Sequence, residues 1–558
     1  MMPDEGADAP PAIRHAGRWI VIAFALAALP ILLISFPPIL DYPNHLTRIW
    51  LLAGGVNSPP FSSMYAADWS QASTNIGVDL AATALAHILP FAVVDKMLQM
   101  AMFLGPPLGC ALLNRTLFGR FHAWQIGFPI LAWSTTAIAG FLNFQIGLGA
   151  ALLAAVISPS APGRWPLRAL AIYFSAALVL LLIHPFSLFF YAVLMSGILI
   201  GEKTRWPVPH QRRQDMARGI VLLAIACAIP LLLLFVFAAV PPGAHVTLGS
   251  EAPWQWRTFL NPGRILKLLA SPFLTYDARC DLLLMAPVGA MLAYALATRH
   301  VRAHAGLLLA AAGLLVLSIA APATIGDATW IQRRIPPMLA LTLAAGIQPT
   351  FRRAGANRTL ALVLALTLCA RVAWIGRIWL NRQTDAAQMF AATSILPPGA
   401  AVILLRQDWS DAANVPLGRL MAGGPGKPIE TQRHLPALLV MKRHIFIPTL
   451  FTVPGQQPLR VLGQWKARSV PVSALPTAGT LNQRQPTDAY LHHWRRDFDY
   501  ILLINADLAT SHPLPMAGLR QLADTHFAKL YLILRNPRRH LPEAAYPAST
   551  NVTTRTSR

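Results

Sequence analysis

The residues of this chain best placed to do chemistry are Asp41 and His45, in the run Asp41-Tyr42-Pro43-Asn44-His45-Leu46. A proline between them suits the first turn of a helix, where no amide donor is required. A helix beginning at Pro43 would let Asp41 cap it and turn His45 toward the same side. A carboxylate held there can take a proton from a hydroxyl nucleophile, or bind a divalent metal ion such as Mg or Mn through oxygen. The bland alternative is a capping aspartate beside an interfacial histidine. Asp79 is the second acidic candidate, with Asn75 four residues before it and therefore on the same helix face. A carboxylate entering apolar surroundings is costly unless it faces protein or a cavity.

Further candidates stand in apolar or boundary sequence. The run Gly140-Phe-Leu-Asn-Phe-Gln-Ile-Gly147 sets the amides Asn143 and Gln145 between glycines that permit close helix approach; structural glue competes with a site role. His184-Pro185 places an ionisable ring inside a long apolar stretch, where a kink histidine satisfied by its neighbours is the alternative. Lys267, which follows Trp254 and Trp256, and Arg333 and Arg334, which follow Asp327, suit the phosphate of a lipid carrier. Ordinary anchoring to anionic headgroups competes there too. No Walker A, GxGxxG, HExxH or GxSxG motif stands in a credible context, which argues against an ATP-driven pump, a nicotinamide enzyme and a metalloprotease.

The elements that must position these residues are apolar. Of 558 residues 55% are hydrophobic and only 12% charged, against about 25% charged in soluble domains. Trp19 to Leu40 and Gly219 to Val240 contain no charge, and about 20 such residues cross a bilayer. The pattern predicts an α-helical polytopic membrane protein with eleven crossings, over 19–40, 76–94, 97–114, 124–141, 143–158, 168–200, 217–240, 283–298, 304–322, 335–350 and 359–377. The segment 168–200 is long for one helix and Pro185 interrupts it, so two shorter helices are an alternative.

The formal charge of +23 does not indicate nucleic acid, because much of it sits in short clusters between apolar segments, such as Lys203 with Arg205, Arg299 with Arg302, and Arg352 with Arg353. That distribution marks cytoplasmic loops. It places residues 1–18 inside, loops 41–75 and 241–282 outside, and the tail outside, with Arg115, Arg120 and Arg164 on the wrong side of this count. No small-residue cleavage site follows the first apolar stretch, so it reads as a retained helix rather than a signal peptide. Cys110, Cys227, Cys280 and Cys369 have no metal-ligand spacing. Residues 379–558 read as a soluble, periplasmic α/β domain, with strands at Ala401–Leu405, Asp499–Ile504 and Leu530–Leu534 and a helical stretch at 510–526.

Together the motif Asp41 to His45, the Asn75/Asp79 pair and the run Gly140 to Gly147 are similar to those of uncharacterised proteobacterial membrane proteins. The chain to about residue 378 resembles the membrane glycosyltransferases of GT-C architecture, a group that includes dolichyl-phosphate-mannose-type protein mannosyltransferases and lipid A aminoarabinose transferases. The resemblance implies an inner-membrane enzyme that transfers a sugar from a polyprenyl-phosphate carrier to an envelope acceptor, with inversion. It implies that Asp41 acts at the acceptor or metal site and that Lys267, Arg333 or Arg334 binds the lipid phosphate. Many members carry two adjacent acidic residues where this chain has Asp41 followed by Tyr42. A transporter or a non-enzymatic assembly factor for envelope polysaccharide is the rival class; inverted repeats would mark a transporter, and none is visible.

Overall fold

The computed structural model describes residues 16–160, 165–201, 210–237, 261–323, 330–409, 411–423, 428–471, 475–483, 486, 488–510 and 512–534. Arg164, Lys203, Arg205, Trp254, Trp256 and Asp327 lie outside the described residues, as do most of the N-terminal tail and residues 241–260 of the second outer loop.

The chain is a polytopic α-helical membrane protein. Among the described residues six helices are long and apolar enough to cross a bilayer. They are α1 (Ala16–Leu33), α4 (Phe91–Phe118), α7 (Pro166–Ile183), α9 (His210–Phe237), α11 (Ala278–Ala297) and α14 (Ala354–Ala392). Shorter helices complete the bundle: α3 (Gly77–Ala86), α6 (Leu142–Ile157), α8 (Pro185–Gly201), α12 (Ala305–Ala320) and α13 (Ile331–Gly346). Two further helices, α2 (Tyr42–Leu52) and α10 (Pro262–Ala270), belong to the loops 41–75 and 241–282.

Three of the expected spans come out differently. The stretch 76–94 forms no membrane-length helix: α3 has 10 residues, about 15 Å of rise, and Pro90 separates it from α4. The stretch 124–141 forms no long helix. It runs as a 3-10 helix over Ala123–Ala132 followed by the short α5 (Thr135–Ile138). Every residue from His122 to Gly140 is buried except the half-buried Leu131. Irregular backbone is tolerated at membrane depth where protein covers it and supplies partners. Here Trp124 donates its indole N–H to Ala344 O at 3.1 Å, and Gln125 donates to Asn114 Oδ1 at 2.8 Å. The third span, 168–200, breaks at His184 into α7 and α8, with Pro185 opening the second helix.

A buried ion pair fixes the irregular segment in place. Arg371 of α14 lies 3.2 Å from Asp281 of α11 and donates to Trp133 O at 2.6 Å and Phe273 O at 2.7 Å. Both side chains are fully buried, so either alone would be an uncompensated charge.

The 39 residues of α14 rise about 58 Å, nearly twice the bilayer core, so the helix passes the expected boundary at 378 and ends inside the tail. There Asp385 of α14 accepts from Arg419 at 2.9 and 3.0 Å, and Arg419 also pairs with Asp507 at 2.8 Å. The strands are β1 (Tyr65–Ala67), β2 (Val301–Ala303), β3 (Ile347–Pro349), β4 (Val402–Arg406), β5 (Leu420–Met421), β6 (Ile429–Glu430), β7 (Leu459–Val461), β8 (Tyr500–Ile504), β9 (Leu519–Asp524) and β10 (Ala528–Ile533). The main sheet has order β4-β8-β10-β9, with β4 parallel to β8 and the other pairs antiparallel. Three of these strands fall where short apolar runs predict them. The stretch 510–526 is not helical; it contains β9, whose place is set by pairing with β10 rather than by its own propensity. The loop 41–75 and the tail share a sheet, since β1 pairs antiparallel with β7.

Candidate functional site

The first outer loop begins where α1 ends, and its backbone is stitched to the irregular segment. Leu40 N donates to Ile138 O at 3.0 Å and Asp41 N to Ala139 O at 3.1 Å. Gly140 lies against this junction with φ +76°; a Cβ there would stand 2.6 Å from Tyr42 N and 2.8 Å from Asp41 N. Tyr42 points away into the bundle and donates its hydroxyl to Asp95 at 2.5 Å. Pro43 follows in the first turn of α2, as the sequence predicts, but the side chain of Asp41 makes no capping hydrogen bond. Its carboxylate is left for other work.

Asp41, His45, Asn75, Asn143, His184 and Arg334 all line one cavity of about 260 Å³. These are six of the ten residues singled out from sequence, drawn from segments as far apart as residues 41 and 334. Arg48, Phe141, Phe144, Phe451 and Gln457 complete much of the wall. Asn143 donates its side-chain amide to Asn75 O, tying α6 to the turn before α3. Arg334, in the first turn of α13, reaches His184 Nε2 at 3.1 Å and lies over the rings of Phe141 at 4.5 Å and Phe144 at 5.3 Å. Its guanidinium is thus held between aromatic faces.

The other four candidates lie elsewhere. Gln145 is buried and donates to Thr136 Oγ1 at 2.8 Å, tying α6 to α5. Asp79 is fully buried in a bidentate pair with Arg48, at 2.9 and 3.0 Å from Nη2, with Nε at 3.2 Å. Both of its oxygens are thus taken up by Arg48, which itself lines the cavity. Arg333 is buried over the Trp330 ring at 4.9 Å and does not line this cavity. Lys267 is exposed on α10. Two residues beyond it, Leu269 lines a second cavity of about 650 Å³ between α11, α12, α13 and the 123–132 segment, walled by Phe128, Val288, Leu315, Leu339 and Leu343.

The tail contributes a group that sequence reasoning missed. His434 Nε2 stands 3.6 Å from Asp41 Oδ1. The amide of Asn44 is oriented by accepting from Phe451 N at 3.0 Å and donating to Thr449 O at 3.1 Å. It stands 3.2 Å from His434 Nδ1; an amide nitrogen only donates, so Nδ1 is the acceptor and a neutral ring carries its proton on Nε2, facing Asp41. Burial, and then the charge of Arg433, pushes His434 down to about 3, and His45 is likewise held well below its usual value by burial, Arg48 and His434. Both rings are neutral near pH 7. Burial raises Asp41 to about 7, and Arg433 and Arg334 limit the rise. A carboxyl poised there can exchange a proton at physiological pH.

No family model and no curated protein matches the chain. Among solved structures it is similar to ArnT from Cupriavidus metallidurans. In the apo state that protein aligns at 12% identity and a TM-score of 0.48, over 93% of this chain and 97% of that one. The form bound to undecaprenyl phosphate aligns at 12% identity and a TM-score of 0.49, over 94% and 99%. A likeness this distant carries no chemistry of its own; the cavity must supply it.

Proposed function

We propose that the protein is an inverting glycosyltransferase of the bacterial inner membrane, moving a sugar from a polyprenyl-phosphate carrier to an envelope acceptor on the periplasmic side. The observation that carries this reading is the shared cavity: an uncapped carboxylate with a proton affinity near neutrality faces the same space as Arg334, which is suited to a phosphate. An acceptor hydroxyl gives its proton to Asp41 as its oxygen attacks the anomeric carbon. The bond from that carbon to the phosphate oxygen breaks, the electron pair leaves on the phosphate, and Arg334 offsets the charge that develops there. One displacement inverts the anomeric centre. His45 lines the cavity beside the nucleophile's path, and His434 turns an N–H toward Asp41 from the tail. The apolar cavity, with Lys267 near its α10 wall, suits the isoprenoid chain, with the exposed Lys267 guiding the headgroup on entry.

The donor set does not fit a divalent metal. Asp41 is the one carboxylate among the described lining residues, two guanidinium groups influence it, and hard cations want six or more oxygen ligands. No step is therefore routed through a metal.

The sidedness is part of the same proposal. The reading takes eleven traversals, though not the eleven expected: α1, α4, the 123–138 segment, α6, α7, α8, α9, α11, α12, α13 and α14. The pair β2–β3, with Arg302, and the junction of Gly201 with His304 share one end. Asp41, His184 and the contact of Tyr276 with Pro38 lie at the other. An odd number leaves the tail opposite the N-terminus.

The experiment is lipid mass spectrometry of a deletion strain. An accumulated polyprenyl-phosphate sugar, cleared by wild-type protein and not by the Asp41→Asn variant, is expected. Unchanged lipids and unchanged envelope glycans would overturn the proposal in favour of transport or assembly.

A further inference from the structure

Around the cavity, several buried polar atoms have no protein partner. Asn75 Oδ1, Asn143 Oδ1 and Arg48 Nη1 are among them, and all three residues line the space beside Asp41 and Arg334. Arg48 is only 1% exposed, and its charge is already matched by Asp79. What remains on Arg48 is an N–H that wants an oxygen acceptor, not an unpaired charge that wants an anion. Close by are two amide oxygens that want donors. Such groups are expensive to leave unmade when buried.

We infer that this subsite reads the hydroxyls of an uncharged sugar and refuses sugars that carry an amine or a carboxylate. The inference rests on the transferase reading and names the class of its donor. A hydroxyl both donates and accepts, so adjacent hydroxyls on one ring satisfy Asn75, Asn143 and Arg48 together. A protonated amine only donates and leaves Arg48 without an acceptor; a carboxylate only accepts and faces two carbonyl oxygens. A carboxylate would also be buried without a free cation, since Asp79 holds Arg48 and Arg334 serves the phosphate, and a protonated amine would have to compete with the acceptor hydroxyl for Asp41. Asn75 adopts φ 61°, a conformation that asparagine, aspartate and glycine tolerate, so its side chain can be changed without straining the turn.

The test uses the full-length protein in lipid nanodiscs and measures binding by native mass spectrometry. The probes are undecaprenyl phosphate alone and its conjugates with glucose, galactose, glucuronate and 4-aminoarabinose. The better of the two neutral conjugates is expected to bind about ten-fold more tightly than bare carrier, and than either charged conjugate. Asn75→Gly should bring the neutral conjugate down to the affinity of the bare carrier while leaving the bare carrier unchanged, a separation that general misfolding would not give. Asn75→Asp should raise binding of the aminoarabinose conjugate about ten-fold, because the new carboxylate supplies its counterion. Equal or tighter binding of a charged conjugate by the wild type overturns the inference, as does an intact neutral-sugar preference in Asn75→Gly. If bare carrier and every conjugate fail to bind, the transferase reading falls and takes the inference with it. If the bare carrier binds through Arg334, shown by its loss in Arg334→Gln, and the sugar makes no difference, only the inference falls.

Discussion

At the scale of single residues, Asp41 combines three properties that a simple cap would not share: no capping bond, a cavity in front of it, and a neutral His434 directing an N–H at it. Replacing Asp41 with Asn keeps the shape and removes the base. Transfer measured at matched protein level should fall by about 10²-fold or more, with membrane insertion intact. Stability should move the other way. The unfolded carboxyl titrates near 3.8 and the folded one near 7, so between those values the folded state holds the extra proton and stability falls as pH rises. Asp41→Asn should therefore melt higher than wild type at pH 8, with the difference vanishing below about pH 4. The same titration sets the rate: kcat/KM should rise with pH through a midpoint near 7 and then level off. Arg433→Gln removes a cation that holds this value down, so its pH–rate limb should shift upward. An unmoved limb would mean that another group titrates.

At the scale of elements, the site depends on how three segments meet. Gly140 is where the irregular segment touches the start of α2, and both its positive φ and the 2.6 Å approach to Tyr42 N forbid a side chain. Gly140→Ala should displace Asp41 and abolish transfer even though residue 140 touches no substrate; a wild-type kcat would show that the junction yields cheaply. Gly147 has a comparable role between α6 and α8, where a Cβ would fall 1.7 Å from Ser187 Oγ. The pair Arg48–Asp79 joins α2 to α3 with both side chains out of water. Asp79→Asn leaves a buried guanidinium unpaired and should cost about 3–5 kcal/mol, read as a lower melting temperature in detergent. Arg48→Met with Asp79→Leu should recover most of it. If Asp79→Asn loses activity with no change in melting, Asp79 is acting on substrate after all.

At the scale of the whole molecule, the tail is part of the site. β1 of the outer loop pairs with β7 of the tail, Asn44 is clasped by Thr449 and Phe451, and His434 reaches Asp41. The long helix α14 carries the tail to this position and is locked there by Arg419. Alkaline phosphatase fused after Thr393 should be active, and a cytoplasmic reporter at the same point should be silent; the reverse pattern would place the tail and the cavity on the cytoplasmic side.

The sequence by itself determined the membrane class and most of the cavity. Asp41, His45, Asn75, Asn143, His184 and Arg334 were legible because polar and ionisable groups are costly beside apolar segments and so stand out there. Arg48 was not, because one arginine among 46 Lys and Arg residues carries no mark of its burial. His434 and Arg433 sit in a polar tail where neither is anomalous, and only the long-range contact through Asn44 brings them to Asp41. The segment 124–141 shows the same limit for backbone: its apolar composition implied burial at membrane depth, but a helix and an irregular run share that composition. Packing against α4, α13 and α14, which supplies the missing hydrogen-bond partners, decided between them. Asp79 and Asp41 are both acidic residues at element ends, and sequence could not separate them. The fold did, by giving Asp79 an arginine and leaving Asp41 an open cavity.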